Sequence, residues 1–232
     1  MKALGLSDSN GWARFIAGQY QYSLVKRDIE YEFLYLCATE GIGLMPWGPL
    51  RGGFLTGKYS PDECPTDPSS EGHITTTDAE AEEAWHRRNT ERNWRILETV
   101  DAIAQERGAP QAQVALAWLR AQDLVSSVIL GVRTMEQLEE NLQAADIDLT
   151  ESELDRLDDA STLPELYSCR MIRDYGPATS SPLGRRTCRA VRQFCRILMP
   201  SRTDRSVSHV RFLRAPASQL GPPAAHRGWR TR

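Results

Sequence analysis

Two short segments of this sequence carry residue types suited to holding an anion. Pro49-Leu50-Arg51-Gly52-Gly53 follows an apolar run that ends at Trp47. Glycines directly after a strand let backbone N–H groups approach a phosphate closely, and they equally make an ordinary turn. Gly131-Val132-Arg133-Thr134 follows a second apolar run and opens a segment bearing Gln137, Glu140 and Asn141. A helix N-terminus joined by an arginine suits a phosphate monoester. On the other reading Thr134 simply caps its helix while Gln137 and Asn141 face water. No G-x-S-x-G, G-x-x-x-x-G-K-[ST] or H-E-x-x-H occurs. The four histidines, His73, His86, His209 and His226, are scattered, and none ends an expected strand, so a histidine base is not expected. Five cysteines, Cys37, Cys64, Cys169, Cys188 and Cys195, show no C-x-x-C and no nearby histidine pair. That pattern predicts neither a metal site nor a disulfide framework and fits a reducing compartment.

The elements that must position these segments alternate short β-type runs with longer helical ones, the mark of β-α units and a parallel sheet. Strands are expected at residues 15–20, at Gly43–Trp47 and at residues 125–130. A helix is expected over 28–40, with Asp28 as N-cap and Gly41 as the stop. A long Gly, Pro, Ser and Asp-rich loop runs from Leu50 to about Thr77. Helices follow over 78–107, ending at Gly108, and over 111–121 after Pro110. Thr134-x-x-Gln137 and Thr150-x-x-Glu153 have the form of capping boxes opening two more.

These residues also carry a resemblance. FIAGQYQYSLVKRDIEYEF, GIGLMPWGPLRGGFLTGKY, QVALAWLRAQ and VILGVRTMEQLEENLQAADIDLTESELDRLDDAS, in that order and at those separations, resemble the C-terminal half of an aldo-keto reductase of the aryl-alcohol-dehydrogenase-like branch. The resemblance runs from Met1 to about Gly176. It implies an α/β fold, part of a (β/α)8 TIM barrel made of the last three strands with their helices. It also implies NADPH-dependent reduction of aldehydes and ketones to alcohols, without metal. Residue by residue, it puts Gln19 near the nicotinamide carboxamide and Trp47 against the nicotinamide ring. Gly48, Pro49, Leu50, Gly52 and Gly53 then run past the pyrophosphate with Lys58 in reach, and Gly131, Arg133, Gln137, Glu140 and Asn141 hold the adenosine ribose phosphate and adenine. Where Gly48 stands the family often has a serine, so one hydroxyl contact is lost. Arginine near the 2′-phosphate favours NADP over NAD.

The resemblance carries an expectation about catalysis too. The family's tyrosine acid, with its lysine, aspartate and histidine partners, lies on strands upstream of anything matched here, and Ser9-Asn10 stands too close to Gln19 to be the family's Ser-Asn pair. No catalytic residue is carried over. Tyr20 and Tyr22 lack a matching lysine and are expected to pack. The chain is therefore expected to be a truncated reductase that does not turn over by itself.

The chain has 232 residues, 41% hydrophobic and 25% charged, with formal net charge −3. These values fit one globular domain with an appendage. No run of 18 uncharged apolar residues occurs and no secretory signal opens the chain, so a cytoplasmic protein without a membrane span is expected. The mean hides a split. From Ala178 onward there are 12 arginines, no lysine and one acid, a charge of +11, against −14 for the rest. Residues 1–177 are therefore read as the reductase part and 178–232 as an arginine-rich, disordered tail without family counterpart. Besides the reductase, two other functions are expected to compete: a non-catalytic half barrel that pairs with another chain or with itself, and a tail that binds nucleic acid or an anionic membrane. Arginine without lysine argues for a reading-frame origin of the tail and against nucleic acid.

Overall fold

The computed structural model describes residues 2–62 and 84–167. The arginine-rich tail, the expected helix within it, four of the five cysteines and all histidines but His86 lie outside them.

Helix α1 (Lys2–Asn10) leads into strand β1 (Ala17–Gln21), which runs parallel to strand β2 (Gly43–Trp47) in the register Ala17↔Gly43 to Gln21↔Trp47. Helix α2 (Phe33–Glu40) makes the crossover and stops at Gly41, whose φ of 67° is the left-handed cap that glycine adopts without strain. After β2 come α3 (Trp85–Arg88), α4 (Glu91–Arg107), α5 (Gln111–Arg120), α6 (Met135–Leu142) and α7 (Glu151–Ala160). The result is a mixed α/β fold with a partial, unclosed sheet. One face of that sheet, through Leu44, packs into an apolar core with Leu34, Cys37, Ile96, Val100, Val114 and Leu119 from the helices.

The run 125–130 is not a third strand. It lies parallel to β2 and joins it through one bridge, Leu44↔Val125, with Leu44 N donating to Leu124 O and Ser126 N to Leu44 O, both 2.8 Å. The next rung on that edge needs an N–H from residue 46. Pro46 has none. The following bond is Ile129 N to Pro46 O, 2.9 Å, so three steps on one side match two on the other. Gly43 faces β1 and donates to Ile16 O, and the β1 ladder is therefore untouched.

Other boundaries move for equally local reasons. β1 begins two residues later than expected. Residues 28–40 divide into a 3-10 turn, Asp28–Tyr31, and α2, with Glu32 (φ −137°) between them. Asp28 makes no cap; its carboxylate pairs with Lys26 at 2.5 Å. Glu30 turns inward and accepts from Tyr22 Oη at 2.6 Å and from Arg27 Nε at 2.7 Å. The expected helix over 78–107 breaks before Thr90, whose extended backbone and side chain, accepting from Asn93 N, start α4 afresh.

The capping box at Thr150 forms in full: Thr150 Oγ1 accepts from Glu153 N while Glu153 Oε2 accepts from Thr150 N at 2.6 Å. Arg107 also forks onto the Glu153 carboxylate, joining α4 to α7. The Arg107 guanidinium, and then the two Thr150 donors, pull the Glu153 carboxyl down to about 2 against the burial that opposes them. A carboxyl whose folded pKa is depressed contributes stability that is complete above its unfolded value, about 4.3, and is lost as pH falls toward the folded one. The melting temperature of the chain is accordingly expected to fall between about pH 5 and pH 2. In Glu153→Gln the fall over that window is expected to be shallower, which thermal unfolding across the pH series measures.

Candidate functional site

Paired residues of a parallel sheet point the same way, so Gln19, Gln21, Met45 and Trp47 share one sheet face. This is the face opposite Leu44 and the helices. Gln19 and Trp47 are exposed on it, Trp47 to 41%, an unusual amount of indole to leave open unless something flat covers it. Tyr20, on the other face, stacks on Phe33 at 4.7 Å, and Tyr22 is fully buried with its hydroxyl on Glu30. Both tyrosines serve packing.

Beyond Trp47 the chain turns sharply. Gly48 has φ 62°, and Arg51, Gly52 and Gly53 follow with φ 54°, 67° and 85°. Arg51 N donates to Gly48 O and Gly53 N to Leu50 O, both 3.0 Å, so these two N–H groups are used inside the turn. Pro49 is buried and Leu50 half-buried beneath it. A 3-10 turn, Phe54–Thr56, then seats Phe54 against Trp94 at 5.0 Å and leads to Tyr59, which faces Trp85 at 5.9 Å. That aromatic group places Lys58 over the turn: a Cβ built on Gly53 would lie 2.8 Å from Lys58 Cε and 3.1 Å from its Nζ.

The second segment leaves the same edge. Because residues 125–130 run parallel to β2 and Ile129 bonds to Pro46, Gly131 to Thr134 emerge beside the carboxyl end of β2, as Trp47 and Gly48 do. Gly131 and Arg133 are exposed. Thr134 Oγ1 accepts from Gln137 N at 3.2 Å, and Gln137 Oε1 accepts from Arg133 N at 3.0 Å. The box therefore closes on Arg133 rather than on Thr134, and Gln137 fixes the backbone of the arginine. Glu140 O accepts from Gln113 Nε2 at 2.8 Å, docking α6 on α5, and Asn141 is half-buried beside it.

The structure thus brings Gln19, Trp47, the 48–53 turn and Lys58 to one edge, with Gly131, Arg133 and Gln137 along it. Glu140 and Asn141 lie farther down α6. Sequence reasoning missed Gln21. It pairs with Trp47, reaches within 3.7 Å of a Cβ position on Gly48, and its Nε2 is buried without a hydrogen-bond partner. Its place two residues after Gln19, hence on the same strand face, was the available signal. No group of three or more metal-ligating side chains occurs among the described residues, and no helix there is long and apolar enough to cross a membrane. Cys37 is buried in the core, and burial raises its thiol pKa.

Residues 1–162 match the aldo/keto reductase family. The chain belongs to that family. It is similar to Aldo-keto reductase AMT2 of Alternaria alternata, 34% identical over 153 residues, which cover 66% of this chain and 38% of that protein. It is also similar to the uncharacterized oxidoreductase YrpG of Bacillus subtilis, 31% identical over 173 residues, 72% of this chain and 48% of the relative. A probable voltage-gated potassium channel subunit beta of rice is 36% identical over 135 residues, 57% of this chain and 39% of the relative. The chain spans less than half the length of these curated relatives.

The close approach of Lys58 makes Gly53 a sharp test of the turn. Alanine there carries both the positive φ and a clash that displaces the lysine, and Gly53→Ala is expected to cost about 1–2 kcal/mol, a few degrees of Tm. Gly5→Ala, in α1 with open space around it, is expected to leave Tm unchanged in the same melt.

Proposed function

We propose that this chain supplies the cofactor-holding part of an aldo/keto-reductase-type oxidoreductase, a partial (β/α)8 barrel that takes NADPH and acts on small aldehydes and ketones. One observation carries the reading: an open indole and a helix-opening arginine leave one carboxyl edge, side by side on β2 and the run bonded to it. In parallel α/β sheets ligands bind outside the carboxyl ends of the strands. Gln19 meets the carboxamide and Trp47 the nicotinamide ring. Gly48, Pro49, Leu50, Gly52, Gly53 and Lys58 follow the pyrophosphate. Gly131, Arg133, Gln137, Glu140 and Asn141 take the adenosine end, with Arg133 on the 2′-phosphate. The partnerless buried Gln21 Nε2 beside Gly48 fits a site that awaits an acceptor. When bound, the cofactor supplies the hydride; this chain's residues orient its ring and hold its phosphates. Tyr20 and Tyr22 are committed to packing and to Glu30, so the chain itself delivers no proton.

Binding without turnover is the expected signature. NADPH is expected to quench the fluorescence of the full chain, with the Trp47→Phe variant losing most of the change. Arg133→Gln is expected to weaken NADPH about tenfold while leaving NADH unaltered, since one charge-assisted contact is removed. Saturable binding with no consumption of NADPH in the presence of an aromatic aldehyde supports the reading. Absence of NADPH binding, or aldehyde-dependent oxidation, contradicts it.

A second reading rests on the other edge of β1. Among the described residues nothing pairs with it, and Trp12, Phe15 and Ile16 beside it are 63%, 63% and 80% exposed. An open apolar strand edge is a template for pairing, and a two-fold axis would let a second copy pair with it edge to edge. Sedimentation velocity separates the two outcomes: a defined dimer supports the second reading and a monomer removes it.

A further inference from the structure

Away from the edge that carries Trp47 and Arg133, a cavity of about 380 Å³ lies between the loop after β1, the turn after β2 and the entry to α4. Five cationic side chains line it, Lys26, Arg51, Arg87, Arg88 and Arg92, against one carboxylate, Asp28, which Lys26 already pairs. Arg51 and Arg88 are among the most buried charges of the chain, 4% and 2% exposed. Three of these arginines sit in or next to the short segment from α3 into α4, and Asn93 Nδ2 holds that segment by donating to Arg88 O at 3.0 Å. We propose that this cavity binds a phosphate monoester.

The argument is convergence of charge on a void. Arg51, Arg87 and Arg88 have contacts of their own, and the cavity is the space they share. A cation removed from water is stabilised by anions that accept several N–H bonds at once, and the planar guanidinium fork matches phosphate oxygens. Arg92 shows the local balance most plainly. Its terminal nitrogens donate to Val25 O and to Ser161 O, the latter at 2.6 Å, which fixes the side chain, while its Nε is buried with no hydrogen-bond partner. Burial, and then the neighbouring Arg27, hold its pKa below the ordinary arginine value, as expected where positive charge accumulates.

Arg51 adds an independent sign. It is the one non-glycine residue with positive φ among the described residues, a conformation that costs an L side chain about 1–2 kcal/mol. The glycines on its carboxyl side adopt the same region freely. Backbone strain that persists in a fold marks places where something else is gained, and here the strained residue directs a guanidinium to the cavity wall. The choice of ligand follows from number and size. A carboxylate offers two oxygens, whereas a phosphate monoester offers three and nearly two charges, enough for several arginines. The volume lies within the range of small-molecule sites and leaves room for an organic group on the phosphate.

The test is a calorimetric titration of the full chain with inorganic phosphate, with acetate at matched ionic strength as the comparator. Saturable phosphate binding is expected, stronger than acetate. Arg87→Gln, on an exposed residue, and Arg51→Gly, which suits the backbone angle, are each expected to weaken phosphate about tenfold, with far-UV circular dichroism confirming the fold. Arg95→Gln, exposed on α4 and outside the cavity, is expected to change nothing. Arg133→Gln separates this site from the proposed dinucleotide groove: loss of phosphate binding in that variant alone assigns the phosphate to the groove and overturns the proposal. No saturable binding, or equal binding of phosphate and acetate, overturns it as well. None of these outcomes bears on NADPH affinity, so this proposal and the cofactor reading fail separately.

Discussion

Arg27, 3% exposed, links parts of the chain that are far apart in sequence. Its guanidinium donates from Nε and Nη2 to the two oxygens of Glu30, and from Nη1 to Asp158 and Ser161 at the end of α7, while its plane lies 5.1 Å from the ring of Trp118 in α5. Trp118 returns a hydrogen bond to the same Asp158 oxygen, 3.0 Å, and Tyr22 supplies another to Glu30. Buried charge is tolerable only when its donors and acceptors are met in this way. The arrangement fixes how the loop after β1 sits against two helices, and hence where the carboxyl end of the sheet lies. A network with one member missing leaves an uncompensated charge in the core, so the geometry has little freedom.

Much of the scaffold was legible because its signals are local. The apolar run Gly43–Trp47 became β2 with the same bounds, Gly41 and Gly108 ended helices in the left-handed conformation, and Thr150 capped α7 with Glu153. Apolar pattern and glycine conformation act over a few residues and can be read from a string. What failed depended on partners far along the chain. Residues 125–130 have good strand composition, yet their pairing is set by a proline in β2. The 28–40 helix looked continuous until Glu30 was drawn inward by Arg27 and Tyr22.

The candidate site divides along the same line. Trp47 and the glycines after it, Lys58, and Arg133 with Gln137 could be singled out because strand ends and helix starts are visible in sequence. The use of Gln137 could not, since its side chain bonds the N–H of Arg133 instead of that of Thr134. Arg51 was passed over inside a glycine-rich turn, because nothing in the string tells that its backbone takes the left-handed form and its side chain goes inward.

The proline at the centre of β2 gives the sheet two unlike seams. Toward β1 the strand is laced along its full length, and toward residues 125–130 it is stitched by three bonds with a skipped rung. Weakly laced backbone yields before the rest of a fold does. The rim bearing Trp47 therefore behaves as a fixed jaw, and the rim bearing Arg133 as one with some give. A long ligand laid across both would be gripped rigidly at one end and accommodated at the other, an asymmetry produced by a single missing hydrogen.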